Sequence, residues 1–359
     1  MTNSLADSNS GLNAYFKGKN VFLTGHTGFK GAWMIKLLQF LECKVTGFAL
    51  KAEKESLFNL LDLDKDVTSH IQDIRDRDAL SKAISVSKPE VIFHFAAQPL
   101  VLPSYEDPAY TFEVNALGTL NVLEAVRGYD HPCTVIIITT DKVYKNKEWI
   151  YGYREIDELG GMDPYSTSKS VAELITSSYI SSFFEGTNKK VISARAGNVI
   201  GGGDYATNRV VPDVIRSILG EKAVELRNPE AVRPWQHVLD PLYGYLLLPY
   251  LSSTEVHVDK SYNFGPSRSE NLTVEGLVKE IIRFWGEGTY VLKEAKKYES
   301  RMLELDSTKA YVELNWKQRL DTHQAIEYTI DWYKRVHVGN ESPSKVTEDQ
   351  ITKYFMHWS

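Results

Sequence analysis

NVFLTGHTGFKGAWMIKLLQFLE, residues 20–42, decides how this chain folds. NVFLT (20–24) is a short apolar run, and FKGAWMIKLLQFLE (29–42) spaces its apolar residues three and four apart, as an amphipathic helix does. Between them lies Gly25-His26-Thr27-Gly28-Phe29-Lys30-Gly31. Glycines three apart permit a tight turn, let the backbone approach a pyrophosphate, and let helix and strand pack closely. The helix N-terminus then offers free N–H groups and the positive end of its dipole. Strand, glycine-rich turn and helix in that order point to a dinucleotide loop; the plainer reading is a tight turn that binds nothing.

Outward from this unit the same alternation continues. KVTGFAL (44–50), EVIFHFAA (90–97), TVIIITT (134–140) and KVISARAGNVI (190–200) read as strands. TLNVLEAVRGY (119–129) and the stretch from Tyr165 to Glu185 read as helices. Strands that are near-continuous apolar runs, separated by helices, predict an α/β fold with a doubly wound parallel sheet covered on both faces. Its ligands sit at the carboxyl ends of the strands. After Gly201-Gly202-Gly203 the pattern loosens into VVPDVIRSIL (210–219) and NPEAVRP (228–234), and HVLDPLYGYLLLPYL (237–251) to SYNFG (261–265) is expected to return to the sheet. Beyond Pro266 come helix-like VEGLVKEIIRFWG (274–286) and HQAIEYTIDWYKRV (323–336). The expected organisation is a flexible leader (1–17), a dinucleotide-binding domain (18–200 and 237–265) and a smaller, discontinuous α/β substrate domain (201–236 and 266–359).

Composition narrows the function. With 359 residues, 43% hydrophobic, 25% charged and a net charge of −6, the chain reads as an ordinary soluble protein of about two domains. It lacks the basic excess of a nucleic-acid binder. Cys43 and Cys133 cannot build a disulfide framework and belong to no Cys/His ligand cluster, and no HxH or HExxH spacing suggests zinc. The longest apolar stretch, Tyr243 to Leu251, is too short to cross a membrane, and the first residues have no export signal. The expected setting is cytoplasmic.

Two further clusters carry chemistry. Tyr165-Ser166-Thr167-Ser168-Lys169 puts a phenol and an ammonium at i and i+4 of a helix, facing the same way. A nearby lysine lowers a phenol's pKa from about 10 towards neutrality, making it a base. A surface Tyr/Lys pair is the inert alternative. Thr139-Thr140-Asp141-Lys142-Val143-Tyr144 delivers hydroxyl, carboxyl and amine together at one strand's carboxyl end, more than a capping cluster requires. The ribose-reading position about 20 residues past the glycine loop holds Ala49-Leu50-Lys51, with Glu53 downstream. The acidic mark of NAD is therefore absent, and Lys51 would even suit a 2′-phosphate. Asp73 and Ile74 are candidates for the adenine edge.

These motifs resemble the extended short-chain dehydrogenase/reductase family over residues 18–335. GHTGFKG matches its cofactor loop, HFAAQ (94–98; Ala96, Ala97, Gln98) the strand-end motif under the cofactor, Asn115 its structural asparagine, and YSTSK its Tyr-x-x-x-Lys pair. TGHTGFKGAW, TTDKVY, ARAGNVIGGGD, RPWQHVLDPL and LDSTKA narrow the likeness to nucleotide-sugar 4,6-dehydratases of the CDP-sugar branch. The resemblance implies a Rossmann fold, bound NAD, a nucleotide-sugar substrate and a role in deoxysugar and O-antigen biosynthesis. It also implies homodimers or homotetramers joined through the helices Thr119–Gly128 and Tyr165–Glu185.

The implied roles follow. Tyr165 takes the proton of the sugar's 4-hydroxyl, Thr140 hydrogen-bonds that oxygen, and Lys169 holds the nicotinamide ribose and lowers the tyrosine pKa. Asp141 protonates the leaving 6-hydroxyl. Relatives place a glutamate where this chain has Lys142, which would act as the carbon-5 base or, staying charged, stabilise the enolate. As a base it must titrate near neutrality rather than at about 10.4. Asn198, Arg209, Arg233 and Arg301 are the candidates for the sugar diphosphate, since a guanidinium fork suits phosphate oxygens. Ser104 and Gln98 are candidates for the sugar pocket, and His26 for the pyrophosphate. His94 is expected to pack and His237 to complete a turn. The rival readings are a nucleotide-sugar 4-epimerase, which has no need of Asp141-Lys142, and a non-catalytic dinucleotide sensor.

Overall fold

The computed structural model describes residues 5–226, 228–267, 271–293 and 303–356. Its frame is one parallel sheet of seven strands: β1 (Asn20–Thr24), β2 (Lys44–Ala49), β3 (Thr68–Ile71), β4 (Val91–His94), β5 (Cys133–Thr139), β6 (Lys189–Arg195) and β7 (Ser261–Asn263). The order across it is β7-β6-β5-β4-β1-β2-β3, every pair parallel. Successive residues point to opposite faces, so Val21 and Leu23 enter one apolar cluster while Phe22 enters another, and Val91 and Phe93 part from Ile92 in the same way. Burial on both sides is why these strands read as unbroken apolar runs. The order reverses direction between β1 and β4, which opens a crevice at their carboxyl ends.

Helix α1 (Leu5–Phe16) precedes the sheet and corrects the expected flexible leader for residues 5–16. Leu12 and Phe16 are fully buried and Tyr15 packs on Tyr250, so apolar anchoring orders the segment. Helix α2 (Phe29–Phe40) follows β1 as expected. Strand β3 escaped the sequence reading because THR-SER-HIS-ILE at an exposed sheet edge carries no apolar run. KVISARAGNVI is not one strand: it breaks at Asn198, whose φ is 49°, and Val199–Ile200 pairs instead with Gln236–His237. The run expected to return to the sheet is a buried helix, Leu239–Ser252, and only β7 rejoins, beside β6. An apolar run buried on all sides has no period to tell helix from strand.

Of the remaining segments, residues 208–214 and parts of 224–235 border the crevice. Val210–Leu219, Val274–Trp285 and Thr322–His337 form helices, and Val232–Arg233 pairs antiparallel with Leu272–Thr273. The last helix, Pro343–Met356, returns to α2, where Lys36 meets Glu348 at 2.5 Å and Phe40 meets Phe355.

Three histidines are sealed in this core. Burial lowers His26 to about 4, and His94 and His237 to about 3. Unfolded histidine titrates near 6.5, so between about 6.5 and 4 the unfolded chain binds more protons than the folded one. Stability therefore falls as pH falls through that window, by up to about 1.4 kcal/mol per pH unit for each histidine. Denaturation midpoints measured from pH 7 to 4 check this; midpoints that stay level down to pH 4.5 contradict it.

Candidate active site

A cavity of about 1160 Å³ lies at the carboxyl ends of the strands. Gly25, Thr27, Gly28, Phe29, Lys30 and Gly31 line one side of it. Gly25 has φ 71°, and a Cβ there would lie 2.6 Å from the Ala96 nitrogen, so only glycine lets the loop pass this close to the end of β4. Gly28 caps α2 without a side-chain hydrogen bond, leaving the first N–H groups of the helix for an anion. Thr27 donates to the Leu50 carbonyl at 3.0 Å, tying the loop to the end of β2. Ala49, Leu50, Asp73, Ile74, Ala96 and Ala97 continue the lining. This strip fits a dinucleotide. Lys51 is exposed and stays off the cavity wall. Asp73 pairs with Arg75 at 2.8 Å, which holds its carboxyl below the usual range.

Four candidates lie behind the wall. The His26 ring is buried and hydrogen-bonds the Ser69 hydroxyl at 2.7 Å, towards β3 and away from any pyrophosphate. Gln98 spends its side chain on its own loop, donating to the Leu100 carbonyl and Thr111 and accepting from the Leu100 N–H. Ser104 is fully buried; it donates to the Val101 carbonyl and accepts from the Tyr165 N–H. Ser104 and Gln98, the candidates for a sugar pocket, therefore brace the cavity from behind and do not line it. Asn115, also fully buried, donates to Ser168 at 2.9 Å and accepts from the Gln98 N–H at 2.8 Å, joining the end of β4 to the Tyr165 helix.

That helix, Pro164–Tyr179, starts where Asp163 accepts from the Ser166 N–H and Pro164 takes the first turn. Its first residues bring Tyr165 and Lys169 to the cavity, opposite Thr140, Asp141 and Lys142 at the end of β5. Thr140 donates to Asp141 at 2.7 Å, and the Asn198 amide reaches the other carboxylate oxygen at 3.5 Å. Asp141 is 2% exposed; a Cβ on Gly197 would overlap its carboxyl at 2.2 Å, so that glycine makes its room. Lys142 is partly buried and lines the cavity beside Asp141.

The electrostatics differ from the simple expectation for a Tyr/Lys pair. Burial pushes Tyr165 up to about 12, Asp141 adds to the rise, and Thr140 and Arg209 oppose it; Lys169 is not among the groups that set it. The Lys169 ammonium instead approaches the Ile138 carbonyl at 3.4 Å, and burial lowers it to about 8. Lys30 reaches the same end of the cavity and is lowered to about 7 by burial, Arg209 and Lys169.

Asn198, Arg209 and Arg233 also line the cavity; Arg209 pairs with Asp204 at 3.1 Å and Arg233 donates to the Val232 carbonyl at 2.8 Å. Arg301 lies outside the described residues. His237 is buried, its Nδ1 3.3 Å from the Leu239 N–H. Among the described residues no three His, Cys, Asp or Glu side chains group to hold a metal ion. No described helix is long and apolar enough to cross a membrane.

The structure adds a pair that sequence reading missed. Glu173, one turn beyond Lys169, is bound by Arg195 of β6 in a salt bridge of 2.7 Å, both side chains fully enclosed. The i, i+4 step from Lys169 was the available signal; nothing local marked Arg195 as the partner.

Similarities to known proteins agree with this geometry. The family model described as GDP-mannose 4,6 dehydratase matches residues 22–329. CDP-glucose 4,6-dehydratase of Salmonella typhimurium is 42% identical over 329 residues, covering 89% of this chain and 92% of that protein. dTDP-glucose 4,6-dehydratase 1 of Escherichia coli is 24% identical, covering 87% and 92%. Among solved structures, the dTDP-glucose 4,6-dehydratase DesIV of Streptomyces venezuelae, with NAD and TYD bound, superposes with a TM-score of 0.77 at 22% identity, covering 90% of this chain and 99% of that one. UDP-glucose 4-epimerase of Thermotoga maritima gives a TM-score of 0.77 at 24% identity, covering 88% and 99%.

Proposed function

Since the chain belongs to the GDP-mannose 4,6 dehydratase family, we propose that it is a lyase acting on CDP-glucose, releasing water and CDP-4-keto-6-deoxyglucose. NAD, when bound, would supply the hydride chemistry, as acceptor for sugar carbon 4 and donor for carbon 6. The uncapped start of α2 would hold its pyrophosphate, and Lys169 its nicotinamide ribose.

Each remaining step belongs to a side chain of this protein. Tyr165 takes the proton of the 4-hydroxyl, with Thr140 hydrogen-bonding the same oxygen. The resulting ketone acidifies the hydrogen on carbon 5, which Lys142 removes as base and gives back when carbon 6 is reduced. Asp141 gives a proton to the 6-hydroxyl as it leaves. Asn198 faces the sugar diphosphate together with Arg209 and Arg233, which belong to the segment 201–236 that with 266–359 forms the substrate domain. Homo-oligomers form through the helices Gly118–Arg127 and Pro164–Tyr179, where Leu174 is exposed, and the enzyme works in the cytoplasm.

One observation carries this reading: the Thr140-Asp141-Lys142 cluster and Tyr165 line one cavity, a carboxyl and an amine beside the phenol that would take the 4-hydroxyl proton. A 4-epimerase uses the tyrosine and no such pair. Incubation with CDP-glucose and NAD followed by alkali tests it, because a 4-keto-6-deoxy sugar absorbs near-ultraviolet light in base. An epimerised, non-absorbing product overturns the dehydratase reading. Parallel incubations with dTDP- and GDP-glucose test the nucleobase; CDP-glucose is expected to turn over fastest.

A further inference from the structure

Tyr165, Lys169 and Glu173 stand at i, i+4 and i+8 on one helix, so they share a face running from the cavity into the core. Glu173 is 3% exposed. Its Oε1 accepts from Thr139 and from Arg195 Nε at 3.0 Å; its Oε2 accepts from Ser193 at 2.8 Å and Arg195 Nη2 at 2.7 Å. Four hydrogen bonds from β5 and β6 fix this carboxylate. The guanidinium is fixed in turn, donating to the Tyr144 hydroxyl at 2.7 Å and the Glu155 carbonyl at 3.2 Å. The Lys169 ammonium rests against Ile138, the residue next to Thr139.

A buried ion pair is seldom a source of net stability, because desolvating two charges offsets their attraction. This one lies directly beneath the reacting groups. We infer that Glu173, clamped by Arg195, is a positioning residue of the reaction proposed above: it is the buried counter-charge that keeps Lys169 an ammonium. Burial works against the Lys169 charge, and Glu173 is the group that supports it. Burial works against the Glu173 carboxylate too, but Arg195, Thr139 and Ser193 override it and hold Glu173 below the usual range. The other titratable groups facing Lys169 do not help. His94 of β4 is buried and neutral, Lys30 of α2 is a like charge, and Asp141, across the cavity, acts on Tyr165 and Lys30 instead. Arg195 is itself flanked by Tyr144 and Glu155.

Glu173→Gln is the test. Without the carboxylate, Lys169 loses its proton at lower pH, so the high-pH limb of the kcat profile moves down by about one unit or more, with KM for CDP-glucose changed less than threefold. In a Lys169→Arg background the limb does not move, because arginine stays charged. Nitrogen-15 NMR of the Lys169 side chain reads the same shift in the resting holoenzyme without turnover, so the outcome stands even if the product proves not to be a 4-keto-6-deoxy sugar. Should Glu173→Gln alone fail to fold, Glu173→Gln/Arg195→Met removes both halves of the pair and carries the same readouts. An unmoved Lys169 titration, or an equal loss of turnover in the Lys169 and Lys169→Arg backgrounds, makes the pair merely structural and overturns the inference.

Discussion

Tyr165→Phe lowers kcat about 10³-fold, within the roughly 10² to 10⁴ that positioned proton transfer contributes, while CDP-glucose binding changes by less than threefold. The loss is confined to turnover because the phenol oxygen meets the substrate only where a proton moves. The backbone N–H that anchors Tyr165 to Ser104, and the Asp163 cap of its helix, do not depend on that oxygen. Burial holds the resting phenol near 12, so the protein alone does not make it a base at neutral pH. On the proposed reading, the charge of a bound nicotinamide and the Lys169 ammonium would together bring it down. Steady-state kinetics with calorimetric binding decide the matter, and a Tyr165→Phe enzyme that turns over at the wild-type rate removes the proposed chemistry altogether.

Lys142→Met separates the first half of the reaction from the second. Oxidation at carbon 4 continues, because Tyr165, Thr140 and the cofactor loop are untouched, but elimination slows by about 10²-fold or more. Reduced cofactor then accumulates on the enzyme, and in deuterated water carbon 5 no longer takes up deuterium. Both are read directly, by near-ultraviolet absorbance and by mass spectrometry. Lys142→Arg distinguishes the two roles open to this lysine. A guanidinium stays charged and cannot take the carbon-5 proton, so this variant is also blocked if Lys142 is the base, whereas an enolate stabiliser would tolerate it. Full dehydration by Lys142→Met refutes both roles.

The parts of this protein legible in its sequence are those written by neighbouring residues. The glycine loop, the apolar strands and the spacing of Tyr165 and Lys169 are local. So is the adjacency of Thr140, Asp141 and Lys142, since a strand end delivers consecutive residues to one place. A twofold or 3.6-fold repeat survives in the chain because it reports a buried face at every turn. Where burial is near-complete, as in Leu239–Ser252, or only partial, as in Thr68–Ile71, that repeat vanishes, and the sequence distinguishes neither helix nor edge strand.

Which way a side chain turns at a strand end was never written locally. His26 sits inside the glycine loop yet faces β3, and Gln98 and Ser104 follow β4 yet brace the wall from behind. Position along the chain brings a residue near the cavity, but the packing of its neighbours decides whether it looks in. Glu173 meets Arg195 only because β5, β6 and the Tyr165 helix close on one another. Sequence alone thus settled the scaffold and marked the candidate cofactor loop and reacting groups. Tertiary structure settled which charges are sealed beneath them, because the cost of burying a charge, and the partner that offsets it, exist only once the chain has excluded water.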